Sequence, residues 1–272
     1  MYHYDDLRVV HVATHHKTGS VWYSAVFRDF ARRTGHYFVP HRAFRADPGQ
    51  HLDRARRARG VLITLSQQGG YTPEEVALGR VLHMVRDPRD LLVSATNYHL
   101  HATEGFLSRP WRDATGGVSY RQHLRALPRG EARLRFEMSA HTDTTLAQLR
   151  DWLGAGARVM TLRYEDCIDD PQMRVFGQAL RFAGFRGADF AHGLAAMQAN
   201  SLFGGLRSAR RRAVIRPAGT PHIRSGRAGD WCRAFTPALA RDFAALHGDL
   251  LSGYGYAADD TWTRAPELVE NR

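Results

Sequence analysis

Apolar positions in this chain come in short continuous blocks separated by polar turns. Leu7 to Ala13 is the first such block, of strand length, and the polar turn His15-His16-Lys17-Thr18-Gly19-Ser20 follows it closely. Beyond the turn, Val21, Ala25, Val26, Phe27 and Phe30 recur at helical spacing, and Gly35 ends the segment. Blocks bounded by turn residues fit buried strands, and glycine after a periodic stretch fits a helix end. Further blocks near 60–65, 81–85 and 157–163 alternate with amphipathic stretches. That alternation predicts an α/β protein, a mostly parallel sheet wrapped by helices. No solenoid-spaced repeat and no linker interrupts the pattern. The 272 residues are expected to form one domain over 1–272 with a sizeable core.

The first junction is the most informative. All but one of the 38 Lys and Arg residues are arginine, and the exception is Lys17. An ammonium on a flexible stem can follow a moving oxygen, whereas guanidinium is a rigid planar fork. The first turn of a helix also has unpaired N–H groups and a positive dipole end. Strand, glycine-containing turn and helix therefore suit a phosphate-type anion, with Gly19 admitting it closely and the Thr18 and Ser20 hydroxyls as donors. The same residues also suit a plain N-cap with Lys17 at the surface, and the turn alone does not separate the two. It is not a Walker A loop, because no Gly-Lys pair exists.

A second junction follows Val81-Leu82-His83-Met84-Val85, where Arg86-Asp87-Pro88-Arg89-Asp90 leads into Leu91, Leu92, Ala95 and Tyr98. Asp87 fits an N-cap and Pro88 the first helical position. Capping does not account for Arg86, a guanidinium at the carboxyl end of a strand, where open α/β sheets have their crevice. Ser94 lies about two helical turns on and suits the same anion.

With these residues in view, the chain resembles sulfotransferases that use 3′-phosphoadenosine 5′-phosphosulfate (PAPS). The family's Lys-Ser/Thr-Gly-Ser/Thr-x-Trp signature is matched by Lys17-Thr18-Gly19-Ser20-Val21-Trp22. Its arginine followed by serine eight residues later is matched by Arg86 and Ser94. Its Arg-x-Gly-x-x-Gly-Asp-Trp segment is matched by Arg224-Ser225-Gly226-Arg227-Ala228-Gly229-Asp230-Trp231, with Ser225 where the family usually has lysine. Leu162-Arg163-Tyr164-Glu165-Asp166 is similar to the family's Tyr-Glu-Asp strand end, and Asp170-Pro171 is expected to open the next helix.

The resemblance implies a P-loop-NTPase-like sulfotransferase fold and a role for each matched residue. Lys17 would stabilise the departing phosphate oxygen, with Thr18, Gly19, Ser20 and Val21 cradling the 5′-phosphate. Arg86, Ser94, Arg224, Ser225 and Gly226 would hold the 3′-phosphate. Trp22 and Tyr164 would flank the adenine, with Ser201, Leu202 and Phe203 at its edge. Residues 204–222, which include Arg207, Arg210, Arg211 and Arg212, would form a lid. Trp231 and Phe235 are expected to pack the C-terminal motif against the sheet. The product would be adenosine 3′,5′-bisphosphate (PAP), and the scheme calls for no metal.

Removing the acceptor's proton needs a base. Cytosolic members carry Lys-Thr-His at a strand end, where this chain has Ile63-Thr64-Leu65-Ser66 and no histidine. His41 is the base expected here, because imidazole titrates near neutrality, with His99 and His101 in reserve. His15 and His16 are read as shaping the turn. Residues 101–125, with Phe106, Trp111 and Tyr120, are expected to contribute to the acceptor pocket.

A formal charge of +11 raises nucleic acid as a partner, but the basic residues are dispersed and no helix-turn-helix or zinc-finger pattern is present. A basic cleft suits PAPS equally. The expected partner is a small-molecule or glycolipid acceptor, with no nucleic acid. A nucleotide kinase, with Asp87 on Mg2+, and a catalytically inactive nucleotide- or RNA-binding relative are the competing readings. Cys167 and Cys232 form no disulfide framework, no leader pattern precedes the first strand, and no apolar run is long enough to span a bilayer. A cytoplasmic setting is therefore expected.

Overall fold

In the computed structural model, residues 8–58, 60–111, 115–201 and 228–264 are described. The block before Lys17 is β1 (Val9–Ala13), and the periodic stretch after it is α1 (Ser20–Thr34), closed by Gly35 at φ 72°. Next come β2 (Tyr37–Pro40), α2 (His41–Ala46), α3 (Pro48–Arg57), β3 (Leu62–Ser66), α4 (Pro73–Ala77) and β4 (Gly79–Val85). They are followed by α5 (Pro88–His99), α6 (Tyr120–Ala126), α7 (Glu131–Met138) and α8 (His141–Arg150). Then come β5 (Val159–Arg163), α9 (Tyr164–Ile168), α10 (Arg174–Phe182) and α11 (Gly187–Asn200). The helices Trp231–Ala234 and Pro237–Gly253 complete the described α-helices.

The chain divides into two compact units. The first holds the described residues up to Val85 and from Gly154 to Ser201, including every described strand. Its sheet runs β2-β3-β1-β4-β5 with all pairings parallel, as the alternation of strands and helices predicts. One face is apolar. Val10, Val12, Ile63, Leu65, Leu82 and Met84 pack there against Tyr23, Phe27 and Phe30 of α1, Phe176 and Leu180 of α10, and Met197 of α11. Each fully buried large apolar side chain contributes about 1.5–3 kcal/mol, which makes this layer the main stabilising element of the unit.

The other face changes character along the strands. Its beginning is apolar, with Val9 and Leu62 against Val39, Phe44, Leu52 and Ala55. Toward the carboxyl ends the paired positions become polar: His11 pairs with Thr64, and Ala13 pairs with both Ser66 and His83. Buried polar groups are retained only when hydrogen-bonded, so this half of the face is a network rather than a core. It lies at the carboxyl edge of a parallel sheet, where such folds bind ligands.

The second unit holds Arg86–Leu153 and the described residues from 228 to 264. Buried Leu91, Leu92 and Ala95 of α5, Leu134 and Met138 of α7, Leu146 and Leu149 of α8, and Leu239, Phe243 and Leu250 of the helix Pro237–Gly253 supply its apolar interior. Asp87 caps α5, accepting from the Arg89 N–H at 2.9 Å, and Pro88 occupies the first turn, both as expected.

One strand, β2, has no counterpart among the expected blocks, because four residues ending in proline carry too little pattern. One expectation is corrected. The helix expected from Asp170-Pro171 begins at Arg174, with Met173 in the left-handed region at φ 56°, although the Asp170 carboxylate still accepts the Val175 N–H at 2.7 Å.

Candidate active site

β1 ends in a turn fastened from two sides. Thr14 donates both its N–H and its hydroxyl to the Ser66 carbonyl, at 2.9 and 2.8 Å. The His15 N–H donates to the Thr18 hydroxyl at 2.8 Å, and that hydroxyl donates to the His15 carbonyl at 3.1 Å. Thr18, expected as an anion donor, is thus buried and engaged in closing the turn. Closure puts Lys17 at φ 64° and Gly19 at φ 100°, both in the left-handed region. Only glycine holds that conformation without strain, so a lysine there is paid for by the surrounding hydrogen bonds. No described side chain caps α1 and its first turn carries no acid, so among the described residues no side-chain cap or acid offsets the positive end of the helix dipole at Gly19 and Ser20.

The aromatic residues matched in the sequence gather on this turn. A Cβ on Gly19 would lie 3.2 Å from Cδ2 of Tyr164. Trp22 and Tyr164 meet edge to face, with centroids 6.0 Å apart and planes at 88°. The Trp22 indole N–H donates to the Ser201 hydroxyl at 3.1 Å, and that hydroxyl donates to the Met197 carbonyl at 2.6 Å. Gly19, Trp22, Tyr164 and Ser201 therefore form one group, with Val21 45% exposed at its margin. Leu202 and Phe203 lie outside the described residues.

Histidines occupy the polar half of the sheet face. His15 and His83 are fully buried, with their Nε2 atoms 2.9 Å apart, and Nδ1 of His83 is 3.5 Å from the Thr161 hydroxyl. The His15 ring fills the space where Gly69 would carry a side chain. His15 does shape the turn, as expected from its position beside Lys17. Burial, with His15 adding to it, holds the His83 pKa well below the ordinary histidine value. His11 contacts the Thr64 hydroxyl at 2.7 Å and the Glu75 carbonyl at 2.8 Å, and burial pushes its pKa down to about 4.

His41, the expected base, follows β2 and is buried. Its Nε2 donates to Glu75 Oε1 at 3.0 Å, and its ring lies on Tyr71 with centroids 4.0 Å apart. Burial lowers its pKa, and the hydrogen bond and charge of Glu75 oppose that shift. Sequence reasoning missed Glu75, His83 and Tyr71 as site neighbours, because a single titratable residue has no periodic signature.

In the second unit the two remaining signatures meet. Arg86 is 9% exposed and 3.9 Å from Asp90, while Ser94 is half-buried on α5. Asp90 accepts the backbone N–H groups of Gly229 and Trp231 at 2.7 and 3.0 Å. Burial is the largest influence on its pKa, which stands at about 6 despite Arg86. Arg89 is gripped by both oxygens of Asp87, lies 3.7 Å over the Trp231 ring and 4.7 Å over Trp262, and donates to the Tyr256 carbonyl at 3.2 Å. The expectation that Trp231 and Phe235 pack against the sheet is corrected: their ring partners are Arg89, Trp262 and Phe243. A cation over an indole face is attractive, so the motif packs on the second junction itself. Arg224, Ser225, Gly226 and the proposed lid, 204–222, lie outside the described residues.

His99, a reserve base, donates through Nδ1 to both Glu137 oxygens at 3.0 Å. Tyr120 and Thr142 donate to the same carboxylate at 2.7 and 2.9 Å, and all four residues are buried. Tyr120, expected at the acceptor pocket, is thus committed to a buried network, while Phe106 stacks on His141 at 4.3 Å. His101 is exposed just past α5.

Comparison with known proteins places these features in a family. The family model described as sulfotransferase domain matches residues 76–255. No curated protein matches the chain. Among solved structures, the mouse sulfotransferase SULT7A1 complexed with PAP superposes with a TM-score of 0.50 at 15% identity, covering 97% of this chain and 88% of that one. Retinol dehydratase with androsterone and inactive cofactor PAP gives 0.48 at 14% identity, covering 90% and 81%. Its complex with retinol and PAP gives 0.49 at 14%, covering 90% and 82%. The match spans both the second junction and the Gly-Asp-Trp segment that Asp90 holds, and the chain belongs to the sulfotransferase-domain family, enzymes of sulfuryl transfer.

Proposed function

We propose that the protein transfers a sulfuryl group from PAPS to a hydroxyl or amine of a small-molecule or glycolipid acceptor by in-line displacement. The observation that carries the reading is the Lys17 turn: a lysine and a glycine in left-handed conformations beside a helix start that no described side chain caps, with the Tyr164 ring against Gly19. A side chain at 19 would crowd the Tyr164 ring, and glycine there leaves the backbone N–H groups open to an anion. Family membership favours PAPS as donor, and the mouse sulfotransferase of the same fold is complexed with PAP.

PAPS, when bound, supplies an SO3 group whose departure breaks the S–O bond to the 5′-phosphate and leaves PAP. Lys17 and the N–H groups at the start of α1 would stabilise the electron pair left on the phosphate oxygen. Because Trp22 and Tyr164 are perpendicular, an adenine would lie on the face of one and the edge of the other. Arg86, Ser94 and the segment following Arg224 would hold the 3′-phosphate, and Asp90 fixes the end of that segment. His41 would take the acceptor's proton. The fit to these residues needs no metal.

Transfer of radiolabelled sulfate from PAPS to a panel of phenols, alcohols and amines, by wild-type and Lys17→Ala protein, tests this. Turnover that falls by about 100-fold or more in the variant supports the role of Lys17. Equal turnover removes it.

A further inference from the structure

The Glu75 carboxylate performs two tasks with its two oxygens. Oε2 accepts the Thr72 N–H at 2.8 Å while the Thr72 hydroxyl accepts the Glu75 N–H at 3.3 Å, the reciprocal cap that starts α4. Oε1 is turned away from that cap and takes His41 Nε2 at 3.0 Å. The cap therefore holds the carboxylate still, and the Glu75 side chain is only 13% exposed.

A carboxylate can only accept, so this bond puts the hydrogen on Nε2 and leaves Nδ1 as the basic nitrogen. The ring is further held by Tyr71, whose hydroxyl is tied to Thr64 at 2.8 Å. We infer that Glu75 is the positioning residue for His41, fixing the Nε2–H tautomer so that Nδ1 receives the acceptor's proton. The inference rests on the proposed role of His41 as base. The proton passes from the acceptor's O–H or N–H to Nδ1, the acceptor's freed electron pair forms the new bond to sulfur as the S–O bond to the 5′-phosphate breaks and leaves its pair on PAP, and Glu75 stays ionised beside the imidazolium.

The surroundings fit that role. The groups facing His41 are Glu75 from α4, Arg45 from its own helix, Tyr71 from the loop before α4, and His11 from β1. Glu75 alone among them favours the charged ring. Arg45, 3.7 Å from the same Glu75 oxygen, opposes it, and so does burial. Without Glu75, His41 would be a weaker base free to adopt either tautomer.

The test is an NMR titration of the imidazole nitrogens in the full chain, with His41 assigned from a His41→Gln variant. Glutamine also completes a cap of this type, so Glu75→Gln keeps the fold of α4 while removing the charge. The expected results are an Nε2–H tautomer in the wild type and a His41 midpoint lowered by about one pH unit in Glu75→Gln. An Nδ1–H tautomer in the wild type overturns the inference even if the variant does not fold, and so does an unchanged midpoint. Sulfate transfer by His41→Gln separates the two ideas. A shifted midpoint with undiminished His41→Gln turnover keeps the pairing and removes the base. An unchanged midpoint with an inactive His41→Gln removes Glu75 and keeps the base.

Discussion

His15 and His83 share a single hydrogen bond, Nε2 to Nε2 at 2.9 Å, in a fully buried position next to the Lys17 turn. Such a bond needs one protonated and one bare nitrogen, so the pair excludes the doubly charged state. Histidines that must stay neutral in the fold make it acid-sensitive. His83 and His11 both titrate below the unfolded value of about 6.5, so the unfolded chain binds more protons as pH falls. Their contribution is complete above that value and is lost progressively beneath it. With His11 at about 4, its share of the loss between pH 7.5 and pH 5 is about 2 kcal/mol. Denaturant unfolding at the two pH values should show a smaller difference for His11→Gln than for wild type.

Gly69 makes room for this pair. Its φ is 63°, and a Cβ there would sit 2.1 Å from Cε1 of His15. Gly116, at φ 58°, has nothing within 4 Å of an added Cβ. Gly116→Ala therefore pays only the backbone cost, about 1 kcal/mol, whereas Gly69→Ala adds displacement of a buried ring, about 1–3 kcal/mol more. Thermal unfolding of the two variants should rank them in that order.

Asp90 gives a slope of opposite sign. Its folded pKa of about 6 lies above the ordinary 3.8, so the folded chain holds its proton longer, and stability falls as pH rises from 4 to 6. Between pH 4 and pH 6 the shift corresponds to about 2 kcal/mol. The stability of wild type relative to Asp90→Asn should decline by that amount, measured by urea unfolding at pH 4 and pH 6. Asp90→Ala, which strands the Gly229 and Trp231 N–H groups, should cost about 2 kcal/mol or more at neutral pH.

Glu137 accepts hydrogen bonds from three buried side chains of the second unit. Truncation to alanine would leave His99, Tyr120 and Thr142 without their shared acceptor, and removing one partner of a buried ionic cluster costs about 3–5 kcal/mol. Tyr120→Phe, which deletes one donor, should cost about 1 kcal/mol. Chemical unfolding of both variants checks the ratio.

The strand-turn-helix junctions were legible because each combines a continuous apolar run, a turn residue and a change to helical spacing. Lys17, Arg86 and Ser94 could be singled out on that frame before any side-chain contact was known. Asp90 could not be. On the chain it looks like an ordinary first-turn acid, and only the fold brings Gly229 and Trp231 to it across more than a hundred residues. The ring partner of Trp231 was missed for a similar reason: nothing local in Gly229-Asp230-Trp231 says that it is an arginine on another element. The His15–His83 and His41–Glu75 pairs join positions on different elements whose register no single sequence displays.

We propose that the protein binds a nucleotide phosphorylated at both 3′ and 5′ positions, with Lys17 contacting the 5′-phosphate and Arg86 the 3′-phosphate. Isothermal titration of PAP, AMP and ATP, with wild type and Arg86→Ala, tests it most directly. PAP is expected to bind wild type at least about 100-fold more tightly than AMP, and Arg86→Ala to remove most of that margin, since charge-assisted contacts to one phosphate supply it. Equal affinity for PAP and AMP in the wild type would contradict it.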